Sequence, residues 1–164
     1  MKRIGVIYNP VEANSIAFLA MLKKAVAGGG YTLVEAPAPR TVDVTTAAKS
    51  LVGKVDLIFA PTDNTVASAF AGIAKVADDA KVPLFAGDSE LVKKGAAFGL
   101  AVNYRDIGRQ TGRVVVSILK GEAPGKIASA TSDKLETYVN ASAAERQGFK
   151  IPADIAQTAQ AVGN

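Results

Sequence analysis

Short apolar runs alternate along this chain with longer segments in which apolar residues recur every three or four positions. A short apolar run between turn residues is typical of a buried strand, and the longer recurrence is typical of a helix that buries one face. The pattern predicts strands over residues 3–8, 31–36, 55–60, 82–86, 96–102 and 135–140. It predicts helices over residues 12–27, 43–51, 64–77, 89–94, 106–119, 141–147 and 153–161.

The regular alternation of strand and helix indicates an α/β fold with a mainly parallel sheet and helices on both faces. Right-handed crossovers make the doubly wound, flavodoxin-like topology the default. The chain has 164 residues and no linker long enough to separate two domains, so we expect a single α/β lobe over 1–164. Ligands of such sheets bind beyond the carboxyl ends of the strands.

Polar residues concentrate after three of the predicted strands, where each strand meets the following helix. One such residue is needed to cap each helix, as Asp43 and Asp106 can do elsewhere, and the surplus is available to hold a polar ligand. Because the ends of parallel strands share one edge, we expect the candidates to gather on one rim. The candidate ligand-binding residues are Asn9, Glu12, Asn14 and Ser15 after the first strand, Thr62, Asp63 and Asn64 after the third, and Asp88 and Ser89 after the fourth.

Asp63 is the best candidate partner for a cationic ligand group, because a partly desolvated carboxylate forms a strong charge-assisted hydrogen bond. Asp88 repeats the pattern one strand later, next to Gly87, which allows a close approach of the backbone. For both residues the alternative is a structural role as the N-cap of the next helix. A catalytic carboxylate pair or a magnesium site is a third possibility, but no companion residue stands in an obvious role beside the two.

Composition excludes several kinds of chemistry. The sequence contains no cysteine and no histidine, so disulfides, Cys/His metal sites and Ser-His-Asp triads are excluded. Neither G-x-G-x-x-G nor G-x-x-x-x-G-K-[ST] occurs, and we expect no cofactor and no metal. The net charge is +4, but the basic residues are scattered, so we expect no nucleic-acid partner. The first apolar run is too short for a signal peptide.

Six segments together resemble the substrate-binding proteins of ABC importers of the tryptophan/tyrosine type, and they follow one another in order across nearly the whole chain. They are RIGVIYNPVEANS at 3–15, PTDNTVASA at 61–69, PLFAGDS at 83–89, GRQTG at 108–112, ILKG at 118–121 and YVN at 138–140. The resemblance implies one lobe of a type I periplasmic-binding protein. Two such lobes hold a small ligand in the cleft between them and deliver it to an ABC permease.

The resemblance also implies the role of this chain. We expect a non-enzymatic solute-binding lobe for an amino acid, and specifically an aromatic one, in the periplasm or at the cell surface. In the family, an N-terminal lobe and a signal peptide precede the segment that matches here. By that comparison the chain is a C-terminal lobe with half of the cleft, and residues 102–130 would pack on the N-terminal lobe.

Two further possibilities follow from the sequence. A stand-alone flavodoxin-like domain with an enzymatic or signalling role is the alternative function, although Glu12 after the first strand would repel a flavin phosphate. The predicted helix over 106–119 is rich in apolar residues and carries Gly108 and Gly112 one turn apart. It either folds back onto its own sheet, or two chains pair, with a possible exchange of the segment from Ala96 onward; we expect the homodimer.

Overall fold

The computed structural model describes residues 1–132 and 134–163 and contains one sheet of seven strands in the order β2-β1-β3-β4-β5-β6-β7. The strands are β1 Arg3–Tyr8, β2 Thr32–Pro37, β3 Leu57–Ala60, β4 Leu84–Ala86, β5 Phe98–Val102, β6 Leu135–Val139 and β7 Gln160–Ala161. The first five are parallel, β6 runs antiparallel to β5, and β7 is parallel to β6. The first five strands have the flavodoxin-like order, which confirms the predicted doubly wound fold.

Helices connect the strands and pack on both faces of the sheet. They are α1 Ala13–Ala27, α2 Val44–Leu51, α3 Asn64–Ser68, α4 Phe70–Ala80, α5 Ser89–Lys93, α6 Tyr104–Leu119, α7 Ala141–Arg146 and α8 Ala153–Thr158. The neighbouring residues Val6 and Ile7 of β1 are both fully buried, because successive side chains of a strand point to opposite faces. Ile7 belongs to the main core on one face, and Val6 packs with Leu19 of α1 on the other.

Neither of two predicted helix caps serves as one in the structure. Asp106 was predicted to cap the helix after β5, but Asn103 does so, because its side-chain oxygen accepts hydrogen bonds from the backbone N–H groups of Arg105 and Asp106. Asp43 does not cap α2; its carboxylate instead binds the Arg40 guanidinium at 2.8 Å, and residues Thr41–Asp43 form a 3-10 turn. Both carboxylates therefore lie within or before a first helical turn without serving as the cap.

Two predicted helices are shorter in the structure. The helix predicted over 64–77 divides into α3 and α4, because Ala69 leaves the helical conformation with φ −111° and ψ 18°. The last predicted helix ends at Thr158, and the chain then extends into β7, where the Val162 N–H donates to the carbonyl of Val139. The short strand satisfies backbone groups that β6 would otherwise leave unpaired at the edge of the sheet.

Residues 104–132, which we call the arm, leave the body of the lobe at the carboxyl end of β5. The arm contains α6, none of whose residues is buried, and a returning segment with a 3-10 turn at Pro124–Lys126. Leu119, near the far end, is 81% exposed. The predicted alternative in which this helix folds back onto its own sheet is therefore not the conformation seen. Within residues 1–132 and 134–163, no helix is both long enough and apolar enough to cross a membrane.

We expect Gly99→Ala to lower the free energy of unfolding by about 1–3 kcal/mol, because β5 packs too closely on β4 for a side chain there. A Cβ atom at Gly99 would lie 2.5 Å from the Ala86 carbonyl oxygen and 2.6 Å from a Val92 methyl group. Urea denaturation measures the change. Gly112→Ala is the control, because Gly112 lies in the exposed helix α6 with open space around it and should be neutral or stabilising. Equal effects of the two substitutions would contradict this packing.

Candidate functional site

The predicted site residues lie along one rim of the sheet, at the carboxyl ends of β1, β3 and β4. The Thr62 hydroxyl after β3 donates to the Gly87 carbonyl after β4 at 3.2 Å. The Asn14 side chain, from the start of α1, donates to the Thr62 carbonyl at 3.2 Å. The loops that follow these three strands therefore meet, as parallel pairing requires. They differ in which of their polar groups remain open to a ligand.

The Asp63 carboxylate is used by the protein itself. One oxygen accepts from the Val66 N–H at 2.8 Å and so caps α3, while the other accepts from the Asn9 N–H at 2.7 Å and the Ser15 hydroxyl at 2.5 Å. Asp63 and Ser15 are each only 2% exposed. The capping role given as the alternative for Asp63 is present in the structure, and the bonds of Asp63 to Asn9 and Ser15 hold the rim in position.

Glu12, which precedes α1, binds the start of α3 with its carboxylate. Its carboxylate accepts hydrogen bonds from the backbone N–H groups of Asn64 and Thr65, both at 3.1 Å, and from both side chains at 2.9 and 2.8 Å. Burial alone would raise the pKa of Glu12, but these bonds together outweigh it and lower the pKa to about 2. The anion-binding end of α3 is thus filled by Glu12, so its first N–H groups are not open to the carboxylate of a ligand in this structure.

Three more candidates differ in burial: Asn9 and Ser89 are buried, and Asn14 is exposed. Asn9 is buried, accepts from the Val11 N–H at 2.8 Å and donates to the Thr65 hydroxyl at 2.8 Å, so it fixes the first turn of the rim. Ser89 is buried at the start of α5. Asn14 is exposed beside Thr62, and it is the polar residue of α1 that remains accessible at the rim.

Asp88 keeps a carboxylate oxygen that a ligand could reach. One oxygen caps α5 by accepting from the Glu90 N–H at 2.8 Å, and the other accepts from the Tyr104 hydroxyl at 2.6 Å. Tyr104 is 56% exposed, so its side chain is not held in place by burial. The hydrogen bond to Asp88, with partial burial, raises the pKa of Tyr104, which keeps the hydroxyl protonated as a donor. A ligand ammonium group could replace that hydroxyl as the partner of Asp88.

Asp88 borders a cleft of about 330 Å³ at the rim, which we call the rim cleft. Its lining residues are Thr62, Asp63, Asn64, Ala67, Asp88, Glu90, Leu91, Lys94 and Tyr104. Sequence reasoning missed Tyr104 and Lys94. Tyr104 follows β5, whose carboxyl end reaches the same rim. Lys94 follows α5 and lines the same cleft, so its ammonium group is a candidate partner for a ligand carboxylate.

A second cleft, of about 350 Å³, is apolar and shares Thr62 and its neighbour Pro61 with the rim. We call it the phenylalanine cleft; it is lined by Phe18, Phe59, Pro61, Thr62, Phe85, Gly87, Leu100 and Leu135. An apolar cleft that contacts a polar one through a single threonine can hold a ligand with one polar and one apolar end.

A polar network holds Asn103, the residue before Tyr104, and so fixes the position at which the arm starts. The Asn103 amide and the Tyr138 hydroxyl both donate to one Glu136 oxygen at 2.9 Å. These bonds lower the pKa of Glu136, and burial together with Glu136 raises the pKa of Tyr138 to about 12.

Among the residues that the structure describes, no three acidic or other ligating side chains are grouped so that they could hold a metal ion.

We expect Asp63→Asn to lower the free energy of unfolding by about 2–4 kcal/mol, because an amide cannot accept all three hydrogen bonds and leaves buried donors unpaired. Thermal or urea denaturation measures the loss. Asp79→Asn is the control, since Asp79 is 65% exposed in a surface ion pair with Lys75 and should change stability by less than about 0.5 kcal/mol. A stable Asp63→Asn variant would argue against the positioning role.

Comparison with known proteins agrees with this fold. Residues 1–163 match the ABC transporter substrate binding protein family. The chain is 34% identical over 139 residues to the tyrosine-binding protein of Clostridioides difficile, covering 85% of this chain and 40% of that protein.

Two crystal structures are similar over nearly the whole chain. A conserved domain protein from Vibrio cholerae has a TM-score of 0.90 and 38% identity, over 98% of this chain and 54% of that one. An ABC domain from Streptococcus pneumonia, solved with L-Trp, has a TM-score of 0.86 and 27% identity, over 98% of this chain and 56% of that one. This chain therefore spans about half the length of these relatives. It belongs to the ABC transporter substrate-binding protein family.

Proposed function

We propose that this chain is a solute-binding lobe of an ABC importer. It binds an aromatic amino acid at its rim and does not convert it chemically. The observation that carries the proposal is Asp88, a partly exposed carboxylate whose second oxygen accepts from the hydroxyl of the exposed Tyr104 side chain. Beside it, the rim cleft and the phenylalanine cleft adjoin at Thr62. A polar end and an apolar end are what an aromatic amino acid presents.

Each part of such a ligand has a partner of matching chemistry. Asp88 would accept hydrogen bonds from the ammonium group, and Lys94 would pair with the carboxylate. Thr62, Asn64 and Asn14 supply neutral hydrogen-bonding groups along the same rim. The names of two relatives support the ligand class, because one is a tyrosine-binding protein and the other was solved in complex with L-Trp.

The same proposal assigns a role to the arm. We propose that 1–164 forms one lobe and that residues 102–130 pack on an N-terminal lobe, which would supply the other wall of the cleft. The absence of buried residues in α6 supports this, because a helix whose apolar side chains are not buried by its own lobe suits contact with another body. An ABC permease as partner, and a periplasmic or cell-surface location, follow from the family and are part of the proposal.

The flavodoxin-like enzyme or signalling domain is the less favoured function. In flavodoxin-like folds the cofactor phosphate binds at the switch point between β1 and β3. Here that position holds Glu12, whose pKa of about 2 keeps it negatively charged and whose carboxylate already fills the N-terminus of α3. A phosphate there would meet the negative charge of Glu12 and find the start of α3 occupied, so we propose no catalytic role for the rim.

For the 164-residue chain on its own, we also propose a homodimer through the arm, formed by direct contact or by exchange of the segment from Ala96 onward. The arm exposes Val115, Val116 and Leu119, and α6 and its returning segment enclose a groove of about 530 Å³. Exposed apolar surfaces of this kind usually bind another protein surface.

Binding is tested with the chain joined to the N-terminal lobe of the Vibrio cholerae relative. We expect calorimetry to show binding of L-tyrosine or L-tryptophan, and Asp88→Asn to weaken it at least about tenfold, or 1.4 kcal/mol. Asparagine caps helices as well as aspartate does, so α5 should remain intact. Asp79→Asn is the control and should bind like the unchanged chimera.

The lone chain should bind these amino acids no more tightly than about 1 mM, because one wall makes too few contacts to offset the cost of association. Micromolar binding by the lone chain would contradict the need for a second lobe. Unchanged affinity in Asp88→Asn would contradict the role of Asp88.

Light scattering over a range of concentrations tests the dimer. We expect the mass to rise toward twice that of the chain, and Leu119→Lys to shift it back toward the monomer, because a charge there would be buried in the interface. Val42→Lys is the matched control, since Val42 is 76% exposed and lies outside the arm. A single monomer mass at every concentration would rule the dimer out.

A further inference from the structure

Five phenylalanine rings form a continuous row across one face of the sheet. The row runs Phe18, Phe59, Phe85, Phe98 and Phe149, with successive ring centroids 5.4, 4.9, 5.1 and 5.0 Å apart. These separations are in the range of attractive aromatic pairs. The row lies on the face opposite the main core, because Ile58 and Leu84, which alternate with Phe59 and Phe85 along their strands, belong to that core.

This row is only partly covered. Phe59 is buried, but Phe85 and Phe98 are half-buried, and the neighbouring Leu100 and Leu135 are 45% and 56% exposed. α1 packs against β1 and β2 on this face, whereas α6 projects away instead of lying on the strands beyond. The uncovered part is the phenylalanine cleft, and it reaches the rim at Thr62 and Gly87.

We propose that the phenylalanine cleft is the subsite that holds the ligand's aromatic ring, with Phe85 and Leu135 as the residues that set specificity. This inference rests on the proposed function, which places the ligand's polar end in the rim cleft on the other side of Thr62. No charged side chain lines the phenylalanine cleft. A charged ligand side chain would therefore lose its hydration without gaining a partner, and a methyl side chain would leave most of the cleft empty.

The arrangement of the rings favours an aromatic occupant over an aliphatic one. The pairs Phe59–Phe85 and Phe85–Phe98 are tilted at 52° and 51°, so the rings already pack in the tilted geometry that aromatic pairs favour. A further ring can pack edge-to-face or offset against Phe85, which adds to the burial of apolar area. Thr62 supplies a hydroxyl at the boundary between the two clefts.

The test is a titration of the 164-residue chain, with labelled leucine methyl groups and backbone amides, followed by NMR. L-phenylalanine and L-alanine are added separately up to about 10 mM, a range in which weak binding is visible. We expect both to shift the amide signals of Asp88 and Glu90 at the rim. Only L-phenylalanine should shift the Leu100 and Leu135 methyl signals upfield, because ring currents require an aromatic ring in contact.

Leu135→Ser provides the matched variant, since Leu135 is exposed enough for the fold to tolerate the change. We expect it to weaken L-phenylalanine binding at least about threefold and to leave L-alanine binding unchanged. Leu119→Ser is the control, because Leu119 is an exposed leucine of the arm and should alter neither.

The outcomes separate this inference from the proposed function. Shifts at the rim without shifts of the leucine methyl signals would overturn the aromatic subsite and leave the rim as the binding site. No shift at either place would overturn both. Leucine methyl shifts that follow protein concentration and not ligand would show that a second copy covers the cleft, which would also overturn the subsite.

Discussion

The rim depends on one buried charge, the carboxylate of Asp63. Three donors from different elements hold it: the N–H of Asn9 after β1, the hydroxyl of Ser15 in α1 and the N–H of Val66 in α3. A buried carboxylate without such partners would be costly, so the three elements are constrained to meet around it. Glu12 adds a second connection between the start of α1 and the start of α3. Asp63 and Glu12 therefore hold in place the loops after β1 and β3, which carry the accessible polar side chains of the rim.

This constraint divides the acidic residues of the rim into two groups. Asp63 and Glu12 are satisfied by the protein, and a ligand that displaced their partners would also disturb the fold. Asp88 differs, because its second oxygen is bonded to an exposed tyrosine hydroxyl. Replacing that hydroxyl by an ammonium group exchanges a neutral donor for a charged one and leaves the cap of α5 in place. Tyr104 is also the first residue of α6, so the proposed ligand site at Asp88 lies directly beside the start of the arm.

The sequence was sufficient for the order of strands and helices, because apolar runs and 3.6-residue recurrences report burial directly. It placed the polar candidates on one rim, since parallel strands end at one edge. It could not show which aspartate keeps an accessible oxygen: Asp63 and Asp88 both follow a strand and cap the next helix, and only the contacts of Ser15, Asn9 and Tyr104 distinguish them. The short strand β7 was missed because its pairing with β6 is a tertiary contact that residues 153–161 do not encode locally.

The central claim is that Asp88 receives the cationic end of an amino acid at this rim. A crystal structure of the chain joined to an N-terminal lobe, grown with L-tyrosine, tests it most directly. The account predicts the ligand nitrogen at about 2.8 Å from an Asp88 oxygen, with the Tyr104 hydroxyl displaced and Asp63 still bonded to Ser15. A bound ligand whose nitrogen lies away from Asp88, with the bond between Tyr104 and Asp88 intact, would contradict it.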